Sequence, residues 1–175
     1  MRFFNIISAS LVLALAACGP AAGPGSADAQ TAAGELSAAD RTAVLGALNL
    51  SANAQGQVMN ECGELVTPQF VPAELGGDAG TGTLFAISGG PNMATCYGDG
   101  PDLHLFVRDG AGWREVYSAR GRMLVILPTS TRGVRDLADG GPGFSFPVWV
   151  WNGTAYAPAN RQIGDSELDG ATFLP

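Results

Sequence analysis

The sequence predicts a mainly β domain: an α+β chain in which an antiparallel sheet built of hairpins follows one N-terminal helix. Three observations carry this expectation. Short apolar runs recur from residue 83 onward, bounded by Gly, Pro, Asp and Asn. The linkers between them are too short for crossover connections, which favours antiparallel pairing. A single stretch of helical periodicity precedes them.

That stretch is "LSAADRTAVLGALNL", residues 36–50. Ser37 is an N-cap whose hydroxyl can accept from the first free amides, and Asp40 falls in the first turn. Val44, Leu45 and Leu48 form an apolar stripe at helical spacing, and the helix is expected to end near Asn49. The strands are read at 83–88, 103–108, 113–118, 123–128, 133–138 and 146–151. Asp109-Gly110-Ala111-Gly112 and Asn152-Gly153 have the composition of tight hairpin turns. Asn49-Leu50-Ser51 and Asn152-Gly153-Thr154 match the glycosylation pattern but are read as structural.

Alternation along a strand sets Leu103, Leu105 and Val107 on one face and His104, Phe106 and Arg108 on the other. A hairpin closed by Asp109–Gly112 places Arg108 opposite Trp113, Phe106 opposite Glu115 and His104 opposite Tyr117. The aliphatic face, extended by Val116, belongs in the core. The second face mixes rings with Arg, Glu and His, a composition enriched at binding surfaces. In "FPVWVW" the same alternation separates Phe146, Val148 and Val150 from Trp149 and Trp151. The candidate binding surface is therefore His104, Phe106, Arg108, Trp113, Glu115, Tyr117, Trp149 and Trp151. The competing reading has this face covered by the helix or a neighbouring strand, with His104 and Tyr117 as a buried hydrogen-bonded pair.

The N-terminal segment has a different character. Arg2 is the only charge before Asp28, and residues 3–16 are nearly all apolar, short for a bilayer span but suited to a secretory leader. Leu15-Ala16-Ala17-Cys18 resembles the lipobox of bacterial lipoproteins. The resemblance implies cleavage before Cys18, acylation of its thiol and acylation of the new amino terminus. Several acyl chains, at about 0.8 kcal/mol per buried methylene, anchor a protein where one chain does not. Gly19 after the cysteine, rather than an acidic residue, implies an outer-membrane location facing the periplasm. The expected organisation is a leader at 1–17, a lipidated Cys18 with a flexible tether through residue 35, and one globular domain at 36–175. The tether is rich in Ala, Gly and Pro and offers nothing to a core.

The formal net charge is −7, and loss of Arg2 with a leader makes the chain one unit more negative. No cationic footprint for nucleic acid is present. Attraction to anionic lipid is equally disfavoured, leaving acyl chains as the membrane link. All nine basic residues are arginine, so Schiff-base chemistry, a P-loop lysine and a Ser-x-x-Lys site are excluded. With Cys18 acylated, Cys62 and Cys96 remain, and an oxidising compartment favours a disulfide between them. Its loop of about 34 residues would constrain the unfolded chain by roughly 3–4 kcal/mol. Two free buried thiols are the alternative; a metal site lacks ligands, since His104 is the only histidine and no Cys-x-x-Cys occurs.

Residues 60–156, running from "NECG" through "LHLFVRDGAGWREV" to "GGPGFSFPVWVWNGTAY", resemble a group of exported bacterial proteins with an FG-GAP-like character. In such repeats an Asp-x-Asn-x-Asp-Gly turn binds calcium. The matching stretch here is Glu74–Ala79, where Gly76 replaces a ligand and Ala79 the turn glycine; both changes count against the ion. The resemblance implies strands and no particular activity.

Signs of catalysis are sparse. Hydrolysis would have to use His104; Ser88 lacks the Gly-x-Ser-x-Gly elbow. Asp99, Asp102 and Asp109 could pair for glycoside cleavage but suit turn formation better. No catalytic residue, metal or cofactor is expected. The expected function is a membrane-anchored extracytoplasmic lipoprotein that binds an envelope protein or small ligand without catalysis. The alternative is a small envelope hydrolase using His104.

Overall fold

Two antiparallel sheets share one apolar interior, and a helix covers the outside of the first. The structure is a computed structural model that describes residues 35–89, 97–98, 100–121, 123–140 and 145–175. These lie in one compact unit, Thr31–Pro175. The expected leader, Cys18 and most of the expected tether lie outside the described residues, as do Cys96 and Asp99. No described helix is long and apolar enough to cross a membrane.

Helix α1 spans Ala38–Ala47, with Ser37 as N-cap accepting from the Asp40 amide at 3.1 Å. It stops where the sequence indicates, with Asn49 in the left-handed region at φ 57°. Two short strands follow, β1 (Val58–Met59) and β2 (Leu65–Val66), forming a hairpin of their own. Asn60 closes its turn: the buried side-chain oxygen accepts from the amides of Cys62 and Glu64 at 3.0 and 2.8 Å.

The first sheet is a meander in the order β3 (Gln69–Gly76), β4 (Gly80–Ile87), β5 (Asp102–Asp109) and β6 (Gly112–Arg120). The second contains β7 (Met123–Thr131), β8 (Val134–Gly140), β9 (Phe146–Trp151), β10 (Tyr156–Ile163) and β11 (Thr172–Leu174). Its order is β10-β9-β8-β7-β11, every pair antiparallel. The mainly β fold with one N-terminal helix among the described residues follows the sequence pattern. The pattern did not mark β1, β2, β3, β10 or β11.

Between the sheets lie Leu75, Leu84, Leu103, Leu105 and Val107 from the first and Leu124, Ile126, Val134 and Leu137 from the second. Parts of both outer faces are buried too. Phe85, Ile87 and Phe106 meet Val44 and Leu45 of α1 and Val58 of β1. On the second sheet, Val125, Leu127, Ala138, Phe146 and Val148 pack with Ile163. The runs Leu84–Ile87 and Leu124–Leu127 are continuous rather than alternating for this reason: each is covered on both sides.

Glycine allows two close approaches. A Cβ on Gly82 would lie 2.6 Å from the Phe106 carbonyl oxygen, so β4 and β5 pack there without a side chain between them. At Gly77, φ is 52° and a Cβ would lie 2.7 Å from the Gly133 carbonyl, where the β3–β4 turn rests on the β7–β8 turn. Glu74–Ala79 is therefore the end of β3 and a 3-10 turn. Glu74 accepts from the Thr81 hydroxyl at 2.9 Å. Among the described residues no group of three or more His, Cys, Asp or Glu side chains could hold a metal ion.

Candidate functional site

The β5–β6 hairpin closes at Asp109–Gly112, and its distal half has the expected register. Asp109 pairs with Gly112, Arg108 with Trp113 and Phe106 with Glu115. A bulge then intervenes: Leu105 pairs with Tyr117 and His104 with Ser118. The extra residue lets Val116 and Tyr117 both enter the interior between the sheets. Tyr117 is therefore removed from the face that carries His104, and no His104–Tyr117 pair forms.

Tyr117 instead donates to Asp139 Oδ2 at 2.7 Å. Burial pushes its hydroxyl pKa up, reinforced by the hydrogen bond to Asp139 and by that carboxylate's charge. Trp149 and Trp151 join it inside. The Tyr117 and Trp149 rings meet edge-on at 5.2 Å, and Trp151 meets Tyr156 at 5.3 Å. The alternation read in "FPVWVW" is present, but the indoles point into the interior and the aliphatic set faces outward beneath further chain. They do not extend the surface around His104.

The remaining residues of the expected patch lie on the outer face of the first sheet, which α1 partly covers. Phe106 is fully buried there. Asp40 of α1 ties the helix down: Oδ1 accepts from Trp113 Nε1 at 3.1 Å, and Oδ2 lies 2.6 Å from the Arg108 guanidinium. That guanidinium stacks 4.3 Å from the Trp113 ring centroid. Burial works against the Asp40 charge. Hydrogen bonds from Ser37, Trp113 and Arg108 outweigh it and hold the carboxyl below its usual range. Arg108 and Trp113 thus clamp the helix.

Beyond α1 the same face opens into a cleft of about 310 Å³. Its apolar lining comes from Leu48 and Leu50 after the helix, Met59 of β1, and Phe85 and Ile87 of β4. Asn60, Glu61, Tyr97, Asp102 and His104 supply its polar groups. Met59 and its cross-strand partner Leu65 are each about half exposed, at 51% and 52%.

His104 Nδ1 lies 2.6 Å from Glu115 Oε1, and the imidazole ring tilts 5.9 Å from Phe85. At the other end, Arg120 takes Asp102 with two bonds, Nε at 2.8 Å and an NH2 at 3.1 Å, and reaches Glu61 at 2.6 Å. These acceptors push the Arg120 pKa up. The guanidinium lies 5.2 Å from the Tyr97 ring centroid. Burial raises the Tyr97 pKa, and the Asp102 charge adds to it. Asp102 is therefore a structural anion, and Asp109 is held by Arg114 at 2.9 Å.

Two-residue strands have no readable period, so Met59, Leu65 and the cleft were not visible in the sequence. The exposed apolar character of "VMNECGELV" (58–66) around an Asn-closed turn was the available sign. Compared with protein-family models, curated proteins and solved structures, the chain matches none.

Proposed function

We propose that this chain is an outer-membrane lipoprotein facing the periplasm, carrying a non-enzymatic binding domain whose ligand enters the cleft beside the β1–β2 hairpin. The anchor rests on the apolar run ending in Leu15-Ala16-Ala17-Cys18. The observation that carries the binding reading is the cleft itself. An apolar floor is bordered by convergent polar groups and by the exposed Met59–Leu65 pair. Exposed apolar side chains beside a concavity suit contact with an envelope protein or an apolar small ligand.

The anchor is tested by mass spectrometry of the N-terminal peptide, which should carry acyl mass on Cys18; an unmodified Cys18 overturns it. Binding is tested by capture from envelope extract with the wild-type chain and with Met59→Asp. A ligand held by the wild type and released by Met59→Asp supports the cleft; a ligand held equally by both removes it.

A second reading is hydrolysis, favoured by one observation. His104 is oriented by Glu115 and stands opposite the exposed Ser118, as a base and a hydroxyl would. Turnover of activated esters lost in both His104→Gln and Ser118→Ala would establish it. Absence of turnover in the wild type would exclude ester hydrolysis by this pair.

A further inference from the structure

A second cavity, of about 490 Å³, opens on the outer face of the second sheet. It is independent of the cleft around His104. Met123 of β7, Phe146 of β9, Phe173 of β11 and Leu168, just after the turn Asp165–Glu167, supply its apolar lining. Phe146 is buried, whereas Phe173 is 52% exposed. The 3-10 turn Asp165–Glu167 and the residues after it add Asp165 and Asp169, both exposed, as its rim.

These two carboxylates differ from the six ion-paired acids of the domain. Glu35, Asp40, Glu61, Asp102, Asp109 and Glu115 each lie within ion-pair distance of an arginine or His104. Among the described residues, Asp165 and Asp169 have no such partner and no side-chain hydrogen bond.

We propose that this cavity binds a small amphipathic cation, an aryl or alkyl body bearing a quaternary or protonated amine. The volume is that of small-ligand sites, and the lining, with the half-exposed Phe173, offers apolar contact. Two unneutralised carboxylates at the rim attract the positive end and repel fatty acids, sulfonates and other anionic amphiphiles of the same size. Complementary charge therefore selects among apolar ligands that the lining alone would accept.

The test is calorimetric titration of the full chain in neutral detergent with benzyltrimethylammonium, and with phenylmethanesulfonate as the anion of similar size. The cation should saturate one site, and the sulfonate should not. Asp165→Asn and Asp169→Asn should each weaken the cation about two- to fivefold, as does raised salt. Phe173→Ala should weaken it further through lost apolar contact. All three positions are exposed, so the variants should keep the wild-type melting behaviour. Met59→Asp, in the other cleft, should bind the cation as the wild type does. Equal binding of cation and sulfonate, wild-type affinity in the double Asn variant, loss of binding in Met59→Asp, or no saturable binding each overturns the proposal.

Discussion

Asp40→Ala should loosen the helix from the sheet, with a cost that depends on pH. The substitution removes an acceptor for Trp113 Nε1 (3.1 Å), for the Ser37 hydroxyl (2.8 Å) and for Arg108 (2.6 Å). It also removes a negative charge from the first turn of α1, worth about 0.3–1 kcal/mol. A hydrogen bond to a charged group contributes roughly 1.5–3 kcal/mol, whereas the half-exposed Arg108 pair adds no more than about 1 kcal/mol. These contacts share one carboxylate and do not add, so the expected loss at pH 7 is about 2–3 kcal/mol. The folded pKa of Asp40 lies below its unfolded value. Its charge therefore stabilises the protein fully above the usual carboxylate range of about 4, and that contribution disappears as pH falls through the lower folded value. Urea unfolding followed by tryptophan fluorescence and far-UV circular dichroism, at pH 7 and in acid, measures both terms. The gap between wild type and Asp40→Ala should narrow in acid, and Asp40→Asn should approach wild type there. A loss below about 0.5 kcal/mol at pH 7, or a gap unchanged in acid, would refute the clamp.

Phe85→Ala empties a fully buried site beneath α1 and should cost about 3–5 kcal/mol in urea unfolding. Gly82→Ala drives a methyl against the Phe106 carbonyl and should destabilise by more than about 1 kcal/mol, whereas Gly46→Ala, with open space on the helix, should stabilise by roughly 0.5–1 kcal/mol. Opposite signs in thermal melts check this pair. Cys62 and Cys96 should appear joined in non-reducing peptide maps of exported protein; alkylation of both in the unfolded, unreduced chain would contradict the bond.

Much of the fold was legible because local chemistry and tertiary structure agree. Ser37 caps the helix it precedes, and Asn152 accepts from the Thr154 and Ala155 amides in the turn it marks. The outer layers were less legible. Phe85 and Phe106 occupy alternate positions that a two-layer reading assigns to a solvent face, yet α1 and the β1–β2 hairpin bury them. Periodicity reports which residues share a face and not what covers that face.

The bulge in β6 shows why register could not be read to its end. One added residue flips every later side chain, and nothing in "WREVYS" marks where it falls. Without it, Tyr117 would face outward beside His104 and Ser118 would enter the apolar interior. With it, Val116 and Tyr117 both point inward, and the phenol brings a hydroxyl that needs a partner in a dry core. Asp139 of β8 supplies that partner and also lies 3.4 Å from Trp149 Nε1, so one carboxylate serves a ring from each sheet. The same shift leaves the small Ser118 opposite His104, while Glu115 reaches the imidazole. A single backbone irregularity thus joins the two sheets on the inside and exposes the histidine to the cleft on the outside.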